Sequence, residues 1–265
     1  MKINSILVVE DNPSNQILIK QQLTILGYEV ELVESGARAL EELTPDRFDI
    51  LMTDINMPDM DGYELTQKIR NQAGEQFAQI PIIAITANAT YEDEQRCLSA
   101  GFDGFLAKPI DLEYLKKFLI DLQTVSAKTG SSYRHDISKP ALPEIDIENS
   151  ALGSDILDIR GVSDFVGGNR QMVHKLLHAF LRNTPEIIAN IQTGQSESDA
   201  NKVMQACHKL KSSARSVGAY RLADLCIAME TAAKKQMLDR VDEMATQLDP
   251  IFNETKTAIV NLVQK

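Results

Sequence analysis

Asp54 is well placed for chemistry, because it stands where an apolar run gives way to a turn. Residues 50–52 (ILM) have the length and character of a buried strand. Asn56, Pro58 and Gly62, which follow, belong to turns rather than to strand interiors. Asp54 is therefore expected at the carboxyl end of a buried strand, where open parallel sheets carry their functional groups.

Four more polar residues follow apolar runs in the same way. Glu10 and Asp11 follow the first run, Thr86 follows the fourth and Lys108 follows the fifth. If these runs are parallel strands, all of these residues and Asp54 meet at one edge of the sheet. Three neighbouring carboxylates repel one another unless a cation lies among them. Oxygen ligands of this kind favour Mg²⁺.

The chemistry available to such a group is phosphoryl transfer. A carboxylate such as Asp54 can attack a phosphoryl group and form an aspartyl phosphate. The transferring group then needs positive charge, which Mg²⁺ and Lys108 supply, and a hydroxyl donor, for which Thr86 is suited. The residues thus provide a nucleophile, metal ligands, a cation and a hydroxyl.

The elements that position these residues are five strands alternating with five helices. Strands are predicted at residues 3–9, 28–33, 48–53, 80–85 and 102–106, and helices at 13–26, 35–43, 62–70, 90–100 and 112–122. This alternation predicts an α/β, doubly wound, five-stranded parallel sheet covered on both faces. In the strand order 2-1-3-4-5, a ligand cleft opens between strands one and three.

Residues 4 to 123 resemble the receiver domain of two-component response regulators, which has a flavodoxin-like fold. The matching segments are LVVEDN, LMTDINMPDMDGYEL, IIAITA and FLAKPI. The resemblance implies that Asp54 is the phosphoacceptor and that Glu10 and Asp11 are the acidic pair. It also implies that Mg²⁺ is held by Asp11, Asp54 and the backbone carbonyl of Asn56.

The same resemblance assigns roles near the ends of the last two strands. Thr86 matches the switch hydroxyl and Phe105 the switch aromatic residue, while Lys108 matches the phosphate-binding lysine. The peptide bond between Lys108 and Pro109 is expected to be cis, as in the family. A receiver domain is therefore expected at residues 1–123.

The second half of the chain differs in pattern. Residues 124–153 are rich in Ser, Pro and Gly and are expected to form a flexible linker. Residues 154–265 show helical periodicity without a strand pattern, with helices predicted at 155–166, 169–191, 199–217, 220–235 and 239–263. Long helices with short connections predict an all-α antiparallel bundle.

His208 is the candidate reactive residue of this bundle. On a helix, His208, Lys211 and Arg215 share one face, and a flat basic face suits an acidic cleft. Two other histidines, His174 and His178, have the spacing of metal ligands, but without a third ligand they are better interpreted as solvated.

The segment ACHKLKSSARSVGA, residues 206–219, resembles the motif of histidine phosphotransfer (HPt) domains, H-x-L-K-G-x-x-x-x-x-G. His208, Leu210, Lys211 and Gly218 match this motif, whereas Ser212 stands where glycine is most common. The resemblance implies that His208 is a second phosphoacceptor, with Lys211 beside it.

Composition limits the remaining classes of function. The net charge of −11 argues against a nucleic-acid partner, which needs clustered Lys and Arg. No apolar run approaches the length of a membrane span, and the first residues lack a signal-peptide pattern. The three cysteines form neither a disulfide framework nor a metal motif. A cytoplasmic location is expected, or the cytoplasmic part of a membrane-bound sensor kinase.

The expected function is one segment of a phosphorelay. Asp54 would accept a phosphoryl group from an upstream sensor histidine kinase, and His208 would pass it to the receiver of a downstream response regulator. The chain has no kinase ATP-binding module or Walker-type loop. The order of its two halves resembles the C-terminal part of hybrid sensor histidine kinases of the virulence-sensor type.

Two alternatives come from other classes of function. A phosphorylation-independent signalling scaffold would not need the complete set of acidic residues, threonine and lysine. A phosphatase with an aspartate nucleophile would need a second Asp two residues after the first, where this sequence has Asn56.

Overall fold

A five-stranded parallel sheet, with its strands in the order 2-1-3-4-5 when numbered along the chain, forms the N-terminal half of the computed structural model. The structure describes residues 3–44, 47–72, 77, 79–86, 91–126 and 156–263. The strands within these residues are β1 (Ser5–Val9), β2 (Glu29–Val33), β3 (Ile50–Asp54), β4 (Ile82–Thr86) and β5 (Gly104–Ala107). The predicted α/β class and strand order are confirmed.

Helices cover both faces of this sheet. They are α1 (Pro13–Ile25), α2 (Gly36–Glu42), α3 (Gly62–Gln72), α4 (Tyr91–Ser99) and α5 (Leu112–Ser126). The pleat alternates side chains between the faces. Ile6, Val8 and Met52 pack with residues of α1 and α5. On the other face, Leu7 and Leu51 pack with residues of α2, α3 and α4.

The central strands are buried throughout, which fixes the edge at which they end. Every residue of β3 and β4 is buried, so a shift of register by one residue would exchange their two faces. Asp54 pairs with Ile85 in this register. The last residue of β3 is therefore held beside the end of β4.

The last helix of the first half, α5, is longer than the predicted helix at 112–122. Helix α5 continues to Ser126, so residues 124–126 of the predicted linker are helical. Leu119 and Leu122 of this helix are buried against the sheet and support its last turns. The rest of the predicted linker, residues 127–153, lies outside the described residues.

The second half is helical wherever it is described. Its helices are α6 (Ile159–Phe165), α7 (Arg170–Ser196), α8 (Ala200–Ser216), α9 (Tyr220–Lys234), α10 (Leu238–Ala245) and α11 (Leu248–Val263). Asn169 and Asp199 cap α7 and α8 through their side-chain oxygens. α8 packs against both α7 and α9, as expected for a helical bundle with short connections.

The single helix predicted at 239–263 is wrong, because the structure breaks it into α10 and α11. Pro250 lies in the first turn of α11 and has no N–H to donate to the preceding turn. α7 continues through Pro185 with buried residues on both sides, whereas Val241 is the buried residue of α10. Little packing on the α10 side of the break therefore compensates for the missing hydrogen bond.

The two halves pack against each other through α1, which contacts both α7 and α8. Leu18 of α1 is buried in the hydrophobic core of the bundle, and Ile17 packs at its margin. The Nε2 atom of Gln22 donates to the carbonyl oxygens of Ile110 and Phe165, at 2.6 and 3.0 Å. This packing determines what faces the carboxyl edge of the sheet.

None of the helices in the described part of the chain is both long and apolar enough to cross a membrane.

Candidate functional site

Three carboxylates meet at the carboxyl edge of the sheet. Oxygen atoms of Glu10, Asp11 and Asp54 lie within 4.8 Å of one another. Glu10 and Asp54 are buried, whereas Asp11 is half-buried. Three hard oxygen ligands grouped at one edge of the sheet fit Mg²⁺, which takes few protein ligands and keeps several waters. The donor set is therefore chemically suited to this metal.

Lys108 reaches into the same group from the end of β5. Its Nζ atom lies 2.6 Å from Glu10 Oε2 and 2.5 Å from Asp54 Oδ2. Burial acts to lower the pKa of Lys108, but the charges of Asp54 and Glu10 outweigh it and raise that pKa. Burial raises the pKa of Glu10 to about 7, against the effect of Lys108. Lys108 thus remains a cation beside Asp54.

The predicted switch residues lie on the neighbouring strands. Thr86 is the buried last residue of β4, and Phe105 is buried within β5. The peptide bond between Lys108 and Pro109 is cis, as the family resemblance implied. Residues 87–90, which follow Thr86, lie outside the described residues.

Asn56 stands at the opening of the cleft, and its backbone N–H lies 3.2 Å from Asp54 Oδ1. The resemblance assigns its backbone carbonyl to the metal. Its side chain makes a contact that the sequence did not indicate: the amide Nδ2 lies 3.2 Å from His208 Nε2. The imidazole of the bundle therefore faces the cleft of the sheet, two residues along the chain from Asp54.

Glu230, on α9, holds the other side of this imidazole. His208 Nδ1 lies 2.9 Å from Glu230 Oε1, and Lys211 Nζ donates to Oε2 at 2.8 Å. Burial acts to raise the pKa of Glu230, but the hydrogen bond from His208 and the charge of Lys211 outweigh it and lower that pKa. An ionised carboxylate only accepts hydrogen bonds, so Nδ1 carries the hydrogen. In the neutral ring, Nε2 keeps the lone pair that faces the cleft.

The predicted basic face of α8 is arranged differently from the expectation. Lys211 is only 2% exposed and points to Glu230 rather than to the cleft. The cation that meets the acidic group is Lys209, whose Nζ lies 2.6 Å from Asp11 Oδ2. The rotation of α8 about its axis, set by its packing against α7 and α9, decides which lysine faces the N-terminal half.

Two asparagines of the loop and first turn of α1 bind the small residues of α8. Asn12 Nδ2 donates to Ser213 Oγ at 2.7 Å and to the carbonyl oxygen of Lys209 at 3.2 Å. Asn15 Nδ2 donates to Ser212 Oγ at 2.9 Å, and Asn15 Oδ1 accepts from Ser216 Oγ at 3.0 Å. Ser212, where the motif usually has glycine, therefore takes part in this contact.

Asn12, Asn15 and Glu230 were missed by sequence reasoning. Asn12 looks like an ordinary helix cap, and its Oδ1 does accept from Ser14 N. The spacing of Asn12 and Asn15, which places two amides on one turn, was an available signal. No sequence signal pointed to Glu230, because its partners, His208 and Lys211, lie on a different helix.

His174 and His178 are not brought to a metal site in the described part of the chain. His174 is half-buried and His178 is exposed on α7. Among the described residues, the cluster of Glu10, Asp11 and Asp54 is the one group with the arrangement of metal ligands.

Comparison with known families matches both halves of the chain. Residues 6–120 match the response regulator receiver domain, and residues 175–259 match the Hpt domain. The receiver match ends shortly before the end of α5, and the Hpt match spans most of α7 to α11.

Similar proteins include two sensor kinases and one solved receiver. The sensor protein EvgS of Escherichia coli K12 is 30% identical over 253 residues, which cover 92% of this chain and 19% of EvgS. The sensor histidine kinase RcsC of Salmonella typhimurium is 46% identical over 114 residues, which cover 43% of this chain and 12% of RcsC. The chain thus spans a fifth or less of the length of these two relatives.

The receiver domain of sensor histidine kinase PA1611 from Pseudomonas aeruginosa PAO1 has been crystallised with a magnesium ion coordinated in its active-site cleft. It is 42% identical, with a TM-score of 0.41, over 45% of this chain and 97% of that domain. The two family matches carry the identification: this chain is a response regulator receiver domain followed by an Hpt domain, the pair of domains that serves phosphorelay signal transduction.

Proposed function

We propose that this chain carries a phosphoryl group from Asp54 to His208 within one molecule, and onward to a second receiver. The observation that carries this proposal is the contact of His208 Nε2 with Asn56 at 3.2 Å, at the opening of the Asp54 cleft. A reactive nitrogen and a carboxylate nucleophile are thereby held on facing elements of one chain. Holding two reacting groups together makes their reaction effectively unimolecular.

The transfer step balances without a further reactant. The Nε2 lone pair of His208 forms the N–P bond while the bond from phosphorus to the Asp54 carboxylate oxygen breaks, and its electron pair returns to the carboxylate. Positive charge then develops on the imidazole, whose Nδ1–H faces Glu230 Oε1 at 2.9 Å. The carboxylate of Glu230 stabilises that charge.

Asp11, Asp54 and the backbone carbonyl of Asn56 would hold Mg²⁺, with Glu10 beside them. The metal would neutralise charge on the phosphoryl oxygens during formation and loss of the aspartyl phosphate. Lys108, 2.5 Å from Asp54 Oδ2, supplies a second positive charge to the same group. The hydroxyl of Thr86 would donate a hydrogen bond to the phosphoryl group. Phe105 would act beside it as the switch aromatic residue.

The expected partners are an upstream sensor histidine kinase and the receiver of a downstream response regulator. Similarity to EvgS over 92% of this chain supports a place in the C-terminal part of a hybrid sensor kinase. The domain limits 1–123, 124–153 and 154–265 and the location in the cytoplasm stay predictions. The reverse path, from a phosphorylated regulator to Asp54 and then to water, uses the same groups.

Labelling with acetyl phosphate and Mg²⁺ tests the proposal. The intact chain is compared with Asp54→Asn, with His208→Gln and with His178→Gln, an exposed histidine that serves as the matched control. Acyl phosphates are lost in base and phosphohistidine in acid, so the stability of the label identifies its site. We expect acid-labile label in the intact chain and in His178→Gln, and none in the other two variants.

Each other outcome has a defined meaning. Label on Asp54 without label on His208 would contradict the proposed transfer from Asp54 to His208. Absence of label on both residues in the folded protein would favour the phosphorylation-independent scaffold.

A further inference from the structure

The receiver half covers the face of α8 that carries His208. The His208 side chain is 12% exposed, and Nε2, the ring nitrogen that carries the lone pair, lies 3.2 Å from the side-chain amide nitrogen of Asn56. Ser212, Ser213 and Ser216, which surround it on α8, are all buried. A second domain of similar size has no access to this imidazole while the receiver half is docked.

The covering contact is polar near His208 and apolar farther away. Lys209 pairs with Asp11, and Asn12 and Asn15 bind the serines of α8. Farther along α1, Leu18 enters the core of the bundle. At the C-terminal end of α1, Ile25 lies close to Gly167 of the bundle. A Cβ added at Gly167 would lie 3.6 Å from Ile25 Cδ1.

The part of this interface around His208 consists of polar contacts. Contacts between domains that rely on side-chain amides, hydroxyls and an ion pair resemble transient rather than permanent interfaces. The docked arrangement is therefore suited to exchange with another partner of the same shape.

We propose that the docked receiver half acts as an intramolecular cap on His208, and that a second receiver domain gains access to His208 only after this cap has left α8. This inference rests on the proposed onward transfer. The competing receiver must present what α1 presents: amide side chains where this chain has Asn12 and Asn15, and an apolar residue where it has Leu18. A tethered cap acts at an effective concentration on the order of millimolar, which the competitor must overcome.

Two complementary full-length chains test the cap. The acceptor chain carries Asp54→Asn and Leu18→Asp, so that its own receiver half is inactive and released while its His208 face is intact. The donor chain carries His208→Gln and Ser213→Arg, so that its bundle is inactive and cannot hold its receiver half. Each releasing substitution lies in the domain whose phosphoacceptor is already removed, so it does not disturb the groups under test.

The measured quantity is acid-labile label on the acceptor chain after mixing with the donor chain, acetyl phosphate and Mg²⁺. We expect the released pair to transfer at least tenfold faster than the matched pair that carries only Asp54→Asn and His208→Gln. Equal rates in the two pairs would overturn the cap. Asn12→Arg and Ser212→Arg form a second releasing pair if circular dichroism shows that the first does not fold.

Binding between the chains, measured by sedimentation velocity, separates this proposal from the relay itself. Complex formation by the released pair and not by the matched pair supports the cap even if no phosphoryl group moves, an outcome that would refute the relay. Complex formation to the same extent in both pairs refutes the cap.

Discussion

The Nδ1 atom of His208 lies 2.9 Å from Oε1 of Glu230, and this contact decides which ring nitrogen faces the receiver half. Because Glu230 is an ionised acceptor, Nδ1 keeps the hydrogen and Nε2 keeps the lone pair. Lys211 holds the second carboxylate oxygen at 2.8 Å, so the carboxylate is fixed at both oxygens. Glu230 is thus a positioning residue for the transfer.

Glu230→Gln should slow the appearance of phosphohistidine about tenfold, by analogy with the loss of a partner that orients a metal-bound histidine. The amide can present its NH₂ group to Nδ1 and favour the wrong tautomer. Labelling of Asp54, read in a His208→Gln background, should not change, because Glu230 does not contact the receiver cleft. The matched control is Glu254→Gln, an exposed carboxylate paired with Arg221 on the bundle surface. Equal rates for Glu230→Gln and the control would contradict this role.

The same carboxylate should make stability depend on pH. Burial opposes the ionisation of Glu230, but His208 and Lys211 lower its pKa below the ordinary 4.5. A lowered folded-state pKa contributes stability above the unfolded-state pKa, and this contribution is lost as pH falls through the folded-state value. Glu230→Gln should therefore lower the free energy of unfolding by about 1–2 kcal/mol at neutral pH, and by less below about pH 4.

Urea unfolding of both proteins at the two pH values measures this difference. A gap between them that stays constant from pH about 7 to about 3.5 would show that Glu230 contributes through packing and not through its charge.

The edge of the sheet was predictable because each polar residue is marked by its own neighbours. A buried apolar run followed by a turn locates Asp54, and the same local pattern locates Thr86 and Lys108. A parallel sheet then collects the strand ends without further information. The confirmed strand order places the ends of these strands side by side, so that residues predicted separately form one site.

The bundle side of the site was less predictable because it depends on contacts between distant residues. His208 and Lys211 were found from their motif, but the side to which Lys211 points is set by the packing of α8. Asn15 and Ser212 are almost 200 positions apart, so periodicity within either segment could not pair them. Docking of the halves is a tertiary property that neither helix pattern contains.

Gly218 should not tolerate a side chain. The reason lies in its backbone conformation and in its contact with Asp158, neither of which the motif reveals. Its φ of +72° favours glycine, and an added Cβ would lie 2.4 Å from the backbone oxygen of Asp158. Gly168 has a similar φ of +75° with open space around it, so it is the matched control. Gly218→Ala should cost about 2–4 kcal/mol of unfolding free energy, and Gly168→Ala about 1–2. Similar thermal shifts for the two variants would contradict the steric argument.

Lys209 should compete with Mg²⁺, because its ammonium lies 2.6 Å from Asp11 Oδ2. Removing one positive charge beside a divalent site strengthens cation binding, although the effect is reduced because about a third of the Lys209 side chain is exposed. We expect Lys209→Met to lower the Mg²⁺ dissociation constant about three- to tenfold in isothermal titration calorimetry. The control is Lys202→Met, which removes a lysine of α8 that pairs with Glu197 and not with the carboxylates of the cleft. An unchanged constant in Lys209→Met would mean that Asp11 can serve the metal and the lysine together. A tightened constant would mean, by linkage, that Mg²⁺ loosens the contact between Lys209 and the receiver half.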